Sequence, residues 1–206
     1  FIIMPSTLYI VATPIGNLED ITYRAVRILQ QVDLIAAEDT RHTLQLLRAL
    51  EIQKPLLSLH EHNEQKRIEE IARLLEEGKD IALVSDAGTP CISDPGARLV
   101  QALGKKKYTI VPIPGPSAVI TALSATGLTQ GGFSFYGFLP VKGKERKQIL
   151  ARILRRTQTV VLYESPHKLL KTLEDLSLYC ENPLLCIGSI CCCIIKLTLR
   201  KGNLCS

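Results

Sequence analysis

Several things are missing from this 206-residue chain, and each absence removes a class of protein. No G-x-G-x-x-G occurs, so a dinucleotide site of the Rossmann type lacks its fingerprint. The nearest approach to a P-loop runs from Gly137 to Lys144. It carries one residue too many before Gly143-Lys144, and Glu145 stands where a magnesium-binding Ser or Thr belongs, so a nucleoside triphosphate site is rejected as well. No apolar run approaches the roughly 18 residues that span a bilayer. The first residues, Phe1-Ile2-Ile3-Met4-Pro5, show neither a basic n-region nor a small-residue cleavage site. The expectation is a cytoplasmic protein with no membrane partner. Cysteine is nearly absent from the first 179 residues, where Cys91 stands alone. The others (Cys180, Cys186, Cys191, Cys192, Cys193 and Cys205) crowd the end without the paired C-x2-C spacings of a zinc site or disulfide framework. No metal is expected.

What is present is enough apolar sequence, 46% of the chain, to build one large core or two small ones. The net charge of +5 matters less than its placement. Nine Lys and Arg but only two carboxylates (Glu145 and Glu164) lie between Lys142 and Lys171, leaving the remainder slightly acidic. Such a local basic face suits a phosphate backbone, with Lys142, Lys144, Arg146, Lys147, Arg155 and Arg156 as the candidate contacts. The alternative is an ordinary solvated helix face.

Short β-prone runs alternate with amphipathic stretches. Strands are predicted at Leu8–Thr13, Asp33–Ala37, Leu56–Leu59, Asp80–Ser85, Tyr108–Pro112, Phe133–Phe138 and Thr159–Tyr163, many of them apolar on both faces as in a covered sheet. Helical spacing shows at Ile21/Ala25/Ile28/Val32, at Ile68/Ile71/Leu75 and at Leu169/Leu173/Leu176. This alternation predicts an α/β fold with helices on both faces of a sheet. Gly and Ser/Thr crowd Leu123–Gly132, which places a boundary near residue 125, between domains 1–124 and 125–206.

Gly/Pro-rich turns follow three of the strands: ATPIGNL at 12–18, SDAGTP at 85–90 with ISDPG at 92–96, and IPGPSA at 113–118. In open α/β sheets ligands bind beyond the carboxyl ends of the strands. Gly and Pro there hold a loop's shape and bring bare backbone close. Polar residues also end the second and third strands. Glu38, Asp39 and Arg41 are candidates for proton transfer or ion pairing, with Asp39-Thr40 equally able to cap a helix. His60 and His62 read as polar loop residues rather than ligands.

ATPIGNLEDIT (12–22), AEDTR (37–41), SDAGTPCISDPG (85–96), PGPSA (114–118), FYGFLP (135–140) and YESPH (163–167) together resemble one family, the small-subunit ribosomal RNA methyltransferases of the tetrapyrrole methylase superfamily. The resemblance implies two α/β domains with S-adenosylmethionine in the cleft between them, a homodimer, and methylation of a cytidine ribose 2'-hydroxyl in 16S ribosomal RNA or the 30S subunit. It further implies cofactor contacts from Pro14, Gly16, Asp86, Gly88, Thr89, Pro90, Pro114, Gly115, Ser117 and Ala118, with Tyr163 closing the site. A ribose hydroxyl needs a base, and Glu38 or Asp39 is expected to assist. Two rivals stand beside this reading: a methylase of a porphyrin-like macrocycle, and an inactive fragment that binds RNA or cofactor.

The resemblance is expected to end near Leu185, where Cys186–Ile195 replaces the family's continuation. This ending reads either as an out-of-frame or truncated stretch or as a natural apolar strand. On the first reading the second domain is incomplete, with an unpaired sheet edge and a less covered core.

Overall fold

The computed structural model describes residues 6–128, 131–156, 158–178, 184–190 and 192–198. The chain folds as two compact units, Phe1–Ser117 and Ala118–Ser206.

The first unit alternates strand and helix: β1 (Thr7–Val11), α1 (Tyr23–Gln31), β2 (Leu34–Ala37), α2 (Thr40–Ala49), β3 (Leu56–Ser58), α3 (Glu64–Glu76), β4 (Ile81–Val84), α4 (Ala97–Lys105) and β5 (Thr109–Ile113). The five strands form one parallel sheet in the order β3-β2-β4-β1-β5. A parallel sheet needs cover on both faces, and the alternation of side chains along each strand supplies it. Leu8, Ile10, Ile81 and Leu83 meet Ile68, Ile71 and Leu75 of α3 and Leu99 and Leu103 of α4. Val11, Ile35, Ala82 and Val84 meet Ala25, Ile28 and Leu29 of α1 and Leu47 of α2 on the other face. Burying each such leucine or isoleucine contributes roughly 1.5–3 kcal/mol.

Helix starts follow from capping chemistry. The Thr22 hydroxyl accepts from the Ala25 N–H at 3.1 Å, and the Asp39 carboxylate accepts from the Arg41 N–H at 2.8 Å. Helix α4 begins at Gly96, which has no side chain to cap with. Glu64, buried on α3, supplies the missing acceptor to the N–H groups of Gly96 (3.1 Å) and Leu99 (3.3 Å).

The second unit contains α5 (Ala118–Ser124), β6 (Phe133–Phe138), α6 (Gly143–Leu154), β7 (Thr159–Glu164), α7 (Pro166–Ser177), β8 (Leu184–Ile190) and β9 (Cys192–Thr198). Its sheet runs β6-β7-β9-β8, parallel between β6 and β7 and antiparallel thereafter. Leu150, Ile153, Val160, Leu162 and Leu176 pack one face with α6 and α7, while Val119, Leu123 and Val161 pack the other with α5. Helix α5 therefore groups with the second unit, and the glycine-rich stretch predicted as a boundary falls within it. The cysteine-rich ending supplies both last strands: β9 pairs along β7 from Thr159↔Thr198 to Glu164↔Cys193, and β8 lies outside it. The stretch thus takes strand form, and the β7 edge is paired from Thr159 to Glu164. Residues 199–206, with Cys205, lie outside the described residues.

Candidate functional site

All five strands of the first unit point the same way, so their following loops gather at one edge. From β1 the chain passes through α1 toward β2, in one direction along the sheet. From its neighbour β4 it passes through α4 toward β5, in the other. Right-handed crossovers then send these two connections to opposite faces, matching the packing of α1 and α4 on different faces. Between the ends of β1 and β4 the sheet therefore opens a crevice where α/β folds take ligands.

The three Gly/Pro loops predicted as a ligand cradle meet at this crevice and are tied together. Thr13 and Gly88 exchange both backbone hydrogen bonds, each 3.0 Å. The Thr13 hydroxyl donates to Ser85 O at 3.1 Å, and the Thr89 hydroxyl donates to Pro116 O at 3.0 Å. Glycine is required where the loops touch. A Cβ on Gly115 would lie 2.9 Å from the Ala12 Cβ, and one on Gly88, at φ +85°, would lie 3.3 Å from Ile15 Cγ2. The glycines thus bring loop against loop. Pro14, Gly16, Asp86, Pro90, Pro114 and Ser117 sit in the same three loops.

A second group of predicted residues lies at the end of β2. The Asp39 N–H donates to the Asp86 carboxylate at 3.2 Å, joining the β2 and β4 loops. The carboxylate of Asp39 is committed elsewhere. It caps α2 and takes a two-point grip from Arg41 (Nε 3.1 Å, Nη2 2.8 Å), which holds its pKa well below the usual carboxylate range. Glu38 differs. It is half-buried, has no cationic partner among the described residues, and lies near Asp94, Asp86, Glu61 and Asp39. Burial first, and then those negative charges in that order, push its pKa up to about 7. Asp94 is raised too, by burial and by Asp86, against a hydrogen bond from Ser85. Asp94 and Glu61 also line a cavity of about 420 Å³ with His62, Glu64, Pro95 and Gly96.

Sequence reasoning singled out Asp86 and Glu38, and counted Glu61 among the polar residues that follow the third strand, but did not single out Asp94 or Ser85. Asp94 had a legible signal, the Asp-Pro-Gly turn that closes the same loop. His60 and His62 stack edge to face at 5.9 Å. The His60 N–H donates to the Asn63 side chain, whose amide donates in turn to Ser58 O, as in a loop-ordering network.

The remaining predicted residues belong to the second unit. Ala118 opens α5, and Tyr163 lies on β7 with its ring against Phe135 and Phe138. Lys142, Lys144, Lys147, Arg155 and Arg156 are exposed. Arg146 is set apart from that face. Only 8% exposed, it spends its guanidinium on Asp175 (2.7 and 3.0 Å), Pro140 O (2.9 Å) and the Thr172 hydroxyl (2.9 Å), which itself donates to Glu164 at 2.7 Å. Its donors face inward, so a phosphate backbone does not reach them. Among the described residues no helix is long and apolar enough to cross a membrane.

Residues 7–190 match the family model of the tetrapyrrole (corrin/porphyrin) methylases, past the Leu185 limit expected from the motifs. The chain is 53% identical over 172 residues to the ribosomal RNA small subunit methyltransferase I of Synechocystis sp., covering 84% of this chain and 62% of that protein. It is 55% identical over 169 residues to the protein of the same name from Escherichia coli O157:H7, covering 82% and 59%. With the one from Thermotoga maritima it is 51% identical over 169 residues, covering 82% and 76%. The chain thus spans about three fifths of the first two relatives' length. The fold also resembles the native uroporphyrin III C-methyl transferase of Thermus thermophilus, with a TM-score of 0.63 at 17% identity, over 87% of this chain and 80% of that one.

Proposed function

Because the chain belongs to the tetrapyrrole (corrin/porphyrin) methylase family, we propose that it takes a methyl group from S-adenosylmethionine and places it on small-subunit ribosomal RNA. The acceptor in this reading is the ribose 2'-hydroxyl of a cytidine in 16S ribosomal RNA, presented free or in the 30S subunit. Relatives at 51–55% identity bear a ribosomal RNA methyltransferase name. The likeness to a uroporphyrin enzyme, at 17%, speaks to fold alone. The same reading sets the protein to work in the cytoplasm as a homodimer.

The observation that carries the proposal is Glu38. A ribose hydroxyl attacks only as its proton leaves, and the base best suited to neutral pH has a pKa near 7. Glu38 meets that condition through its surroundings, at the edge where the locked loops converge. Asp39, paired with Arg41, serves as an N-cap and as the backbone tie to Asp86.

The donor set of this edge fits the cofactor. S-adenosylmethionine bears a sulfonium, an ammonium and ribose hydroxyls, and the loops offer carboxylates and bare backbone to such groups. Asp86, Gly88, Thr89, Pro90, Pro114, Gly115 and Ser117 would hold it, with Pro14 and Gly16 shaping the first loop. When bound, it supplies a methyl carbon made electrophilic by the sulfonium. The chain's own task is to align the acceptor and to take its proton at a Glu38 oxygen.

Transfer of a radiolabelled methyl group to 30S subunits, naked 16S ribosomal RNA and a tetrapyrrole tests the reading. Label on a ribose 2'-oxygen is expected, and Glu38→Gln should lower kcat by about 10²–10⁴. The wild-type rate should fall as pH drops below about 7, because the ionised form is the one that works. A Glu38→Ala/Asp39→Ala double variant with full activity would remove the assigned base. Label on the tetrapyrrole alone would remove the substrate.

A further inference from the structure

Strand β6 is not regular. Phe135 stands opposite Val161 on β7 and Phe138 opposite Tyr163, so three steps along β6 match two along β7. The extra residue is taken up near Gly137, whose φ of +62° lies in the left-handed region that favours glycine. In an unbroken strand, residues three apart face opposite sides of the sheet. The bulge instead brings both phenylalanines onto Tyr163. Its ring meets Phe135 at 4.9 Å and 72°, and Phe138 at 5.5 Å and 56°.

The two phenylalanines then differ in what covers them. Phe135 and Tyr163 pack onto Val119, Leu123 and Val161, whereas Phe138 remains 49% exposed and Val141, just beyond, 66%. Phe138 is thus a half-exposed aromatic ring held against a second ring. The chain then turns directly into Lys142 and Lys144, both exposed. Four residues of chain hold the Lys142 backbone within roughly 14 Å of Phe138, and Glu145 is the one carboxylate between Leu139 and Tyr163. A half-exposed ring followed closely along the chain by lysines that form no ion pair among the described residues is a pairing that suits single-stranded nucleic acid, with bases stacked on rings and phosphates drawn to cations.

We infer that Phe138, braced by Tyr163, is a platform on which an unpaired base of the RNA substrate stacks while Lys142 and Lys144 attract the flanking phosphates. The inference rests on the ribosomal RNA reading and adds to it the strand form and the residue that receives it. A duplex keeps its base faces covered, so the platform requires an unpaired stretch.

The test uses the full chain and a short unpaired RNA oligonucleotide. Phe138→Ala and Phe138→Leu should each weaken binding roughly tenfold, while Phe138→Tyr should preserve it, because every base needs the ring rather than the bulk. The chain has no tryptophan, so Phe138→Trp introduces a single reporter at the platform. Its fluorescence should be quenched by the oligonucleotide and not by inorganic polyphosphate, which offers charge without bases. Wild-type protein that binds no RNA would overturn both the platform and the RNA reading. Binding that is unchanged in Phe138→Ala, with no quenching in Phe138→Trp, would overturn the platform alone. A Phe138→Ala variant that sediments as a smaller species but keeps its RNA affinity would assign the patch to a second copy of the chain and overturn the inference.

Discussion

At the scale of the residue, ionising a half-buried carboxylate that already faces other carboxylates costs free energy, and the fold bears that cost whenever the proton leaves. Glu38 is in that position, with its pKa raised from an ordinary 4.5 to about 7. The folded protein therefore binds this proton more tightly than the unfolded chain does. The stabilisation that results is fully present below about pH 4.5 and is lost as pH rises through 7. Asp94, shifted in the same direction, adds to the trend. Asp39 is shifted the other way, so its contribution is lost only as the solution becomes strongly acidic. Glu38→Gln, neutral at every pH, should lose most of the decline between pH 4.5 and 7 and should melt above wild type at pH 8. Thermal melts of the two proteins across that range make the comparison, and parallel curves would show that Glu38 ionises unperturbed. A variant that is more stable yet inactive is what a strained working residue predicts.

At the scale of the element, the loops act as one piece because they are hydrogen-bonded and packed to one another beyond the strand ends. Gly115 is where that packing is tightest. Its φ is ordinary, so a side chain is excluded there by the Ala12 Cβ alone. Gly115→Ala should cost about 1–3 kcal/mol by overpacking and should weaken cofactor binding by displacing the first and third loops. Ala12→Gly in the same chain should restore part of both. A double-mutant cycle read by denaturation and by calorimetry with S-adenosylmethionine measures the coupling, and additive effects would mean the loops are independent. Much of this was legible in sequence. The seven predicted strands lie within a residue or two of the observed ones, since a strand buried on both faces, such as Ile81–Val84, is an apolar run with turn residues at its ends. Helices α1, α3 and α7 declared themselves by spacing. Helix α4 did not, because its start is a glycine whose capping acceptor, Glu64, is remote in sequence. Likewise the loops were visible as Gly/Pro clusters, but the coupling of Glu38 to Asp86 and Asp94 was not. It arises only when β2 and β4 become neighbours.

At the scale of the whole molecule, the basic segment 142–171 looks uniform as a string of letters, yet folding divides it into two kinds of charge. Lys142, Lys144, Lys147, Arg155 and Arg156 stay at the surface, where the solvent-exposed part of any RNA affinity must reside. Arg146 turns inward to Asp175, Thr172 and Pro140 and ties α6 to α7. The two kinds predict different failures. Each surface cation that contacts a phosphate should, when replaced by alanine, lower the slope of log affinity against log salt by about 0.7 for a single strand, with no change in melting temperature. Removing one partner of a buried pair typically costs about 3–5 kcal/mol. Arg146→Ala should fall toward the lower end of that range, because Lys171 remains 2.9 Å from Asp175 and keeps it partly compensated. Binding measured at several salt concentrations, alongside melts of the same proteins, separates the two. If Arg146→Ala lowers the salt slope while melting like wild type, the buried guanidinium reaches solvent often enough to serve the RNA. The inward network would then be a resting place rather than a structural tie.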